Sequence, residues 1–129
     1  MRSILFVCTG NTCRSVMAQA LAKERFGGSV LVSSAGIRPQ KAEDAQSAIN
    51  ALKLEFNIDA SDHVPRDVRS LDLAAFDQII AMDKHVAMEM KVLTNREVIV
   101  WKIDDPWGST EYRKCALKIL KQLNHLQLK

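Results

Sequence analysis

The sequence predicts an α/β fold, a three-layer α/β/α sandwich built on a four-stranded parallel sheet. Three observations carry that expectation. Four short apolar runs, near residues 4–7, 29–33, 78–82 and 98–101, read as buried strands bounded by turn residues. Segments with apolar residues at helical spacing separate them, which favours parallel pairing through helical crossovers. The first run leads into a cysteine, a small polar loop and a helix start, all at the strand end where ligands bind in such sheets.

Taken in order, Ile4-Leu5-Phe6-Val7 contains no polar residue and is expected to be buried on both faces. Cys8 and the loop Thr9-Gly10-Asn11-Thr12-Cys13 follow, then Arg14 and a helix from about Ser15 to Phe26. Met17, Ala20 and Leu21 form its apolar stripe, and Gly27-Gly28 stops it. The second strand is expected over 29–33, with Ser34-Ala35-Gly36 turning away and a polar loop over 37–41 containing Pro39. A second helix is expected from about Glu43 to Leu54, with Glu43 and Asp44 complementing the dipole of its first turn. Residues 57–71 carry Pro65 and mixed charge and read as irregular.

The third strand is expected at Gln78–Met82, and Asp83 is the N-cap of a helix running to about Thr94. The fourth strand spans 98–101. The last helix begins near Thr110, with Tyr112, Cys115, Ile119, Leu123 and Leu126 at helical spacing, which makes Cys115 a core thiol. The 129 residues suit one domain, and 47% apolar content is enough for a single core.

The order strand, cysteine, loop, arginine, helix points to an anion. Backbone N–H groups at a helix N-terminus lack intrahelical partners, and the helix dipole adds positive charge there. Such loops bind phosphate or a similar oxyanion. Gly10 and Asn11 fit a loop that needs unusual backbone angles. Arg14 can clamp two anion oxygens, positive surroundings favour the thiolate of Cys8, and the Ser15 hydroxyl can donate to it. A thiolate beneath a phosphoryl group is a nucleophile for phosphorus. The leaving group then needs a proton, and Asp105, restricted to extended geometry by Pro106, is the candidate general acid. Adjacent Asp104 has no such restraint and reads as a solvated carboxylate. Trp107 is placed to stack on a substrate ring or to plug the loop from below.

Net charge is +3 without basic blocks or interleaved aromatics, so no nucleic-acid partner is implied, while acidic or phosphorylated partners suit the charge. No stretch approaches membrane-spanning length, and no membrane partner is expected. Three cysteines without a secretory signal suggest free thiols in a reducing cytoplasm. Cysteine and histidine spacings show no metal-ligand pattern, so neither metal nor other cofactor is expected.

The stretch Cys8, Gly10, Asn11, Cys13, Arg14, Ser15 resembles the C-x-G-N-x-C-R-S loop of the low-molecular-weight protein tyrosine phosphatases. Ser34-Ala35-Gly36, the run Phe76 to Asp83 and Asp105-Pro106-Trp107 are also similar to that family's sequence, so the likeness covers nearly the whole chain. Val16 departs from the family's usual proline. The resemblance implies a flavodoxin-like architecture and a phosphatase acting on phosphorylated protein through phosphocysteine. Cys8 would be nucleophile, Arg14 anion clamp and Asp105 general acid, with Thr9, Gly10, Asn11, Thr12, Cys13, Ser15 and Trp107 binding substrate.

The resemblance also implies a reversible Cys8–Cys13 disulfide; the alternative for Cys13 is a small residue filling the loop wall. His63-Val64-Pro65-Arg66 resembles an H-x-x-R stretch whose histidine holds the loop, against the alternative of a surface histidine. Phosphotyrosine is the expected substrate. The loop C-T-G-N-T-C-R-S also matches the family's protein arginine phosphatase branch, in which the threonine at the position of Thr12 favours phosphoarginine. Arsenate reductases of the same fold rank behind both, because they need two further cysteines at and beyond the third strand, and residues 80–93 contain none.

Overall fold

The computed structural model describes residues 2–106 and 109–126. Four strands, β1 (Arg2–Cys8), β2 (Val30–Gly36), β3 (Gln78–Ala81) and β4 (Ile99–Val100), form one sheet in the order β2-β1-β3-β4. Every neighbouring pair is parallel, with Ile4 facing Val32 and Gln78 on its two sides and Ile80 facing Ile99. The helices are α1 (Arg14–Phe26), α2 (Gln46–Phe56), α3 (Lys84–Thr94) and α4 (Ser109–His125). This is the expected α/β architecture.

β1 is central and buried from Ser3 to Cys8, as its unbroken apolar run requires. Its side chains alternate between two cores. Ile4, Phe6 and Cys8 pack with Met17, Leu21, Leu52, Trp101, Ile119 and Leu123, on the face covered by α1, α2 and α4. Leu5 and Val7 pack with Ile79, Val86, Met90 and Val98, on the face covered by α3. Phe6 and Trp101 lie 5.4 Å apart between ring centroids, tilted by 50°. Cys115 is buried in the first core, as the stripe on the last helix predicted.

Three expectations need correction. β2 does not end at residue 33: Ser34, Ala35 and Gly36 stay paired with Phe6, Val7 and Cys8. These small residues let the strand run beneath the loop after β1, where a Cβ on Gly36 would lie 2.7 Å from the Thr9 carbonyl oxygen. The helix expected from Glu43 to Leu54 begins instead as a 3-10 turn over Ala42–Ala45, tightened by the Lys41 N–H donating to Asp44 at 3.1 Å. The α-helix proper covers Gln46–Phe56, so it continues past Leu54 before Asn57 ends it in the left-handed conformation. β4 is shorter than expected, Ile99–Val100 against 98–101, although the chain beyond it stays bonded to β3 through the Trp101 N–H on the Ala81 carbonyl at 2.8 Å.

Candidate active site

Cys8 ends β1 and Arg14 opens α1, so the loop 9–13 lies at the carboxyl edge of the sheet, over the switch from β2 on one side of β1 to β3 on the other. The segment after β2 straps the loop from outside. Ile37, Arg38 and Gln40 donate their N–H groups to the carbonyls of Cys8, Thr9 and Gly10 at 3.2, 2.8 and 3.0 Å. Pro39 has no N–H, and the pairing steps over it. With these carbonyls bound to the strap, the loop can turn N–H groups toward its centre.

Asn11 is the internal brace. It is fully buried and left-handed, with φ of 56°, a conformation asparagine tolerates. Its Nδ2 donates to Ser15 Oγ at 2.8 Å and to Ser34 Oγ at 3.0 Å, and its Oδ1 accepts the Arg66 N–H at 2.9 Å. His63 Nε2 is 2.8 Å from the Asn11 carbonyl, so that nitrogen carries the proton and donates. Ser15 Oγ, already an acceptor from Asn11, lies 2.9 Å from Cys8 Sγ and can spend its own proton there.

Arg14 is 3% exposed and is met by three groups from two distant segments. One terminal nitrogen, Nη1, donates to Asp83 Oδ2 at 2.8 Å and to the Ile103 carbonyl at 2.9 Å. Nε lies 2.9 Å from Asp105 Oδ1, an ion pair without hydrogen-bond alignment. Burial works against the charge of Arg14, but Asp83, Asp105 and Cys8 outweigh it, and the pKa of the guanidinium is raised. Asp105 keeps 69% of its side chain exposed, so the carboxyl can leave this contact for another. Asp104 is exposed as well, and its carbonyl accepts the Cys115 thiol at 3.8 Å.

The structure therefore brings Cys8, Thr9, Gly10, Asn11, Thr12, Cys13, Arg14, Ser15 and Asp105 to one edge, and sets His63 behind the loop. Trp107 lies outside the described residues. Cys13 is half-buried with a free thiol, its pKa pushed far up by burial first and then by Cys115, Cys8 and Asp105. Burial pushes Cys115 up to about 11. Both are held as thiols, which leaves neither equipped to act as a nucleophile.

Sequence reasoning missed four contributors. Asp83 was legible only as an N-cap; its Oδ1 does accept the Val86 N–H at 2.8 Å, while Oδ2 anchors Arg14. Ser34, Arg66 and Gln40 reach the loop from β2, the irregular segment and the strap; the likeness of 34–36 and 63–66 to the family gave Ser34 and Arg66 no role, and nothing around Gln40 marks its long-range bond. Burial opposes ionisation of Asp83, yet the Val86 N–H and Arg14 hold its carboxyl below the ordinary 3.8. A depressed native value stabilises the fold above that pH, and the stabilisation is lost as pH falls through the native value. Asp83→Asn is expected to cost about 1–2 kcal/mol at neutral pH. The difference in Tm from the unsubstituted protein should shrink below pH 3.8. A deficit that stays constant through that range would show that the charge contributes nothing.

A family model described as low molecular weight phosphotyrosine protein phosphatase matches residues 3–128. An arsenate reductase of Brevibacillus brevis is 36% identical over 110 residues, covering 83% of this chain and 78% of its own. The low molecular weight protein tyrosine phosphatase of T. tengcongensis superposes with a TM-score of 0.72 at 27% identity, over 98% of this chain and 100% of that one. The YwlE arginine phosphatase, in a mutant with a phosphorylated active-site serine, has a TM-score of 0.73 at 28% identity over 95% of each chain.

Proposed function

Because the chain belongs to the low molecular weight phosphotyrosine protein phosphatase family, we propose that it hydrolyses phosphotyrosine in proteins through a phosphocysteine intermediate. The observation that carries this reading is the convergence on Arg14: its guanidinium, at the end of the loop that begins at Cys8, meets the distant Asp105 at 2.9 Å.

In the proposed reaction the Cys8 thiolate attacks phosphorus, forming the S–P bond as the P–O bond to the leaving group breaks. Arg14 and the N–H groups of residues 9–14 hold the non-bridging oxygens. The entering phosphoryl group competes with Asp105 for Arg14, which frees the carboxylate to take a proton from solvent or from a phosphate monoanion and pass it to the leaving oxygen. Asp105 then takes a proton from water, the water oxygen attacks phosphorus, and the S–P bond breaks to regenerate thiolate and free phosphate. Ser15 supports the thiolate in both steps through its 2.9 Å contact. Asp105→Asn removes the proton donor and is expected to lower kcat on a phosphotyrosine peptide roughly 100-fold. An unchanged kcat would dismiss Asp105 as the acid, and the absence of phosphate release from the unsubstituted protein would dismiss the reading.

A second reading is phosphoarginine hydrolysis. It is supported by the loop C-T-G-N-T-C-R-S, by the likeness to an arginine phosphatase, and by a strap over 37–41 that offers no aromatic wall to a tyrosine ring. Arsenate reduction, the activity in the name of the Brevibacillus brevis relative, ranks behind both. It would need further reducible thiols beyond β3, where this chain has Met82 and Asp83 and no cysteine before Cys115. Thioredoxin-dependent turnover of arsenate, without phosphatase activity, would reverse that order.

A further inference from the structure

The strap does more than hold the phosphate loop from outside. Thr12, only 6% exposed, donates its hydroxyl proton to Gln40 Oε1 at 2.7 Å. The Gln40 side chain lies flat across Gly10: a Cβ there would come within 2.5 Å of Oε1, 2.7 Å of Cδ and 2.9 Å of Cγ. The absence of a side chain on Gly10 is what lets Gln40 reach Thr12. Gln40 is held in turn by its N–H on the Gly10 carbonyl at 3.0 Å, by the fixed φ of Pro39, and by Arg38, which donates to both carboxylate oxygens of Glu89 on α3 at 3.2 and 3.0 Å.

A threonine hydroxyl has one proton and two lone pairs. Once the proton is committed to Gln40, Thr12 Oγ1 can only accept from any further partner, and a hydroxyl that already donates is the better acceptor. The two candidate substrates differ at this point. The bridging oxygen of an aryl phosphate offers no proton. A phosphorylated guanidine carries N–H groups beside phosphorus.

We propose that Gln40 is a positioning residue for substrate selection: by fixing Thr12 as an acceptor-only group at the loop, it tilts the site toward N-phosphorylated guanidines and away from aryl phosphates. This rests on the phosphatase reading above and deepens its second form, phosphoarginine hydrolysis. Gln40 acts through Thr12 rather than by touching the reacting atoms.

The test is the ratio of kcat/KM on a phosphoarginine peptide to that on a phosphotyrosine peptide. Gln40→Leu is expected to lower the ratio roughly tenfold, the order of one hydrogen bond. Gln40→Glu keeps an acceptor oxygen for the Thr12 hydroxyl and is expected to restore most of the ratio. In a Thr12→Val background, which has no hydroxyl to orient, Gln40→Leu should change nothing further. The proposal is overturned if Gln40→Leu leaves the ratio unchanged, if Gln40→Glu lowers it equally, or if Gln40→Leu still acts in Thr12→Val. Failure of the underlying reading looks different: the unsubstituted protein would then release phosphate from neither peptide, and the proposal would fall with it.

Discussion

Cys8→Ser is expected to abolish turnover, lowering kcat by about 10⁴-fold or more on any phosphorylated peptide. Serine keeps the size and position of the side chain, and its Oγ can still meet Ser15, which sits 2.9 Å from the Cys8 sulfur. What it loses is the nucleophile. A thiol ionises readily beside positive charge, whereas an alcohol at the end of β1 has no general base to take its proton. Asp105 is held on Arg14 at 2.9 Å and, in the proposed reaction, serves the leaving group rather than the nucleophile. Phosphate binding should persist, because Arg14 and the loop N–H groups are untouched. The measurement is kcat by phosphate release together with the Kd for inorganic phosphate by calorimetry. Retained turnover would remove Cys8 from the mechanism; lost turnover with lost phosphate binding would point to a collapsed loop instead.

Arg14→Lys is expected to lower kcat/KM by about 10³-fold, although it keeps the charge. The guanidinium works here as a three-way junction: Nη1 holds Asp83 and the Ile103 carbonyl, and Nε faces Asp105. An ammonium is a single point and cannot meet the three groups while offering a planar pair of donors to a phosphoryl group. The substitution also leaves Asp83, whose side chain is only partly exposed, short of a partner, so Tm should fall with activity. Comparing Arg14→Lys with Asp83→Asn separates the two losses. Asp83→Asn removes the anchor but keeps the clamp, and should cost less activity. Equal activity in Arg14→Lys and the unsubstituted protein would mean that charge alone suffices.

The parts of this molecule that were legible in the sequence are those specified by local rules. The unbroken run Ile4–Val7 marked a strand buried on both faces, and the alternation of its side chains between two cores follows from strand geometry. Asp83 marked a helix start, which its bond to the Val86 N–H realises. Cys8, Arg14 and their intervening loop were legible because one strand end and one helix start hold all of it in a single short stretch.

Other features depend on which distant segments meet. The extension of β2 through Gly36 follows from its partner in β1 and from the loop passing 2.7 Å from where a side chain would begin. Pro106 and the likeness of Asp105-Pro106-Trp107 to the family singled out Asp105 over Asp104; the ion pair to Arg14 is a product of folding. His63 was ambiguous as a residue in an irregular segment, and becomes a donor to the Asn11 carbonyl only once that segment lies against the loop.

By itself, then, the sequence determined the α/β class, the anion loop at the end of β1 and the residue types needed for thiolate chemistry. Tertiary structure alone decided that Arg14 joins Asp83, Ile103 and Asp105, and that Gln40 captures the Thr12 hydroxyl. The physical reason is the range of the interactions. Strand burial, helix capping and loop conformation are written in neighbouring residues, whereas a hydrogen bond between side chains 28 or 69 positions apart exists only after the sheet has placed both ends at one edge.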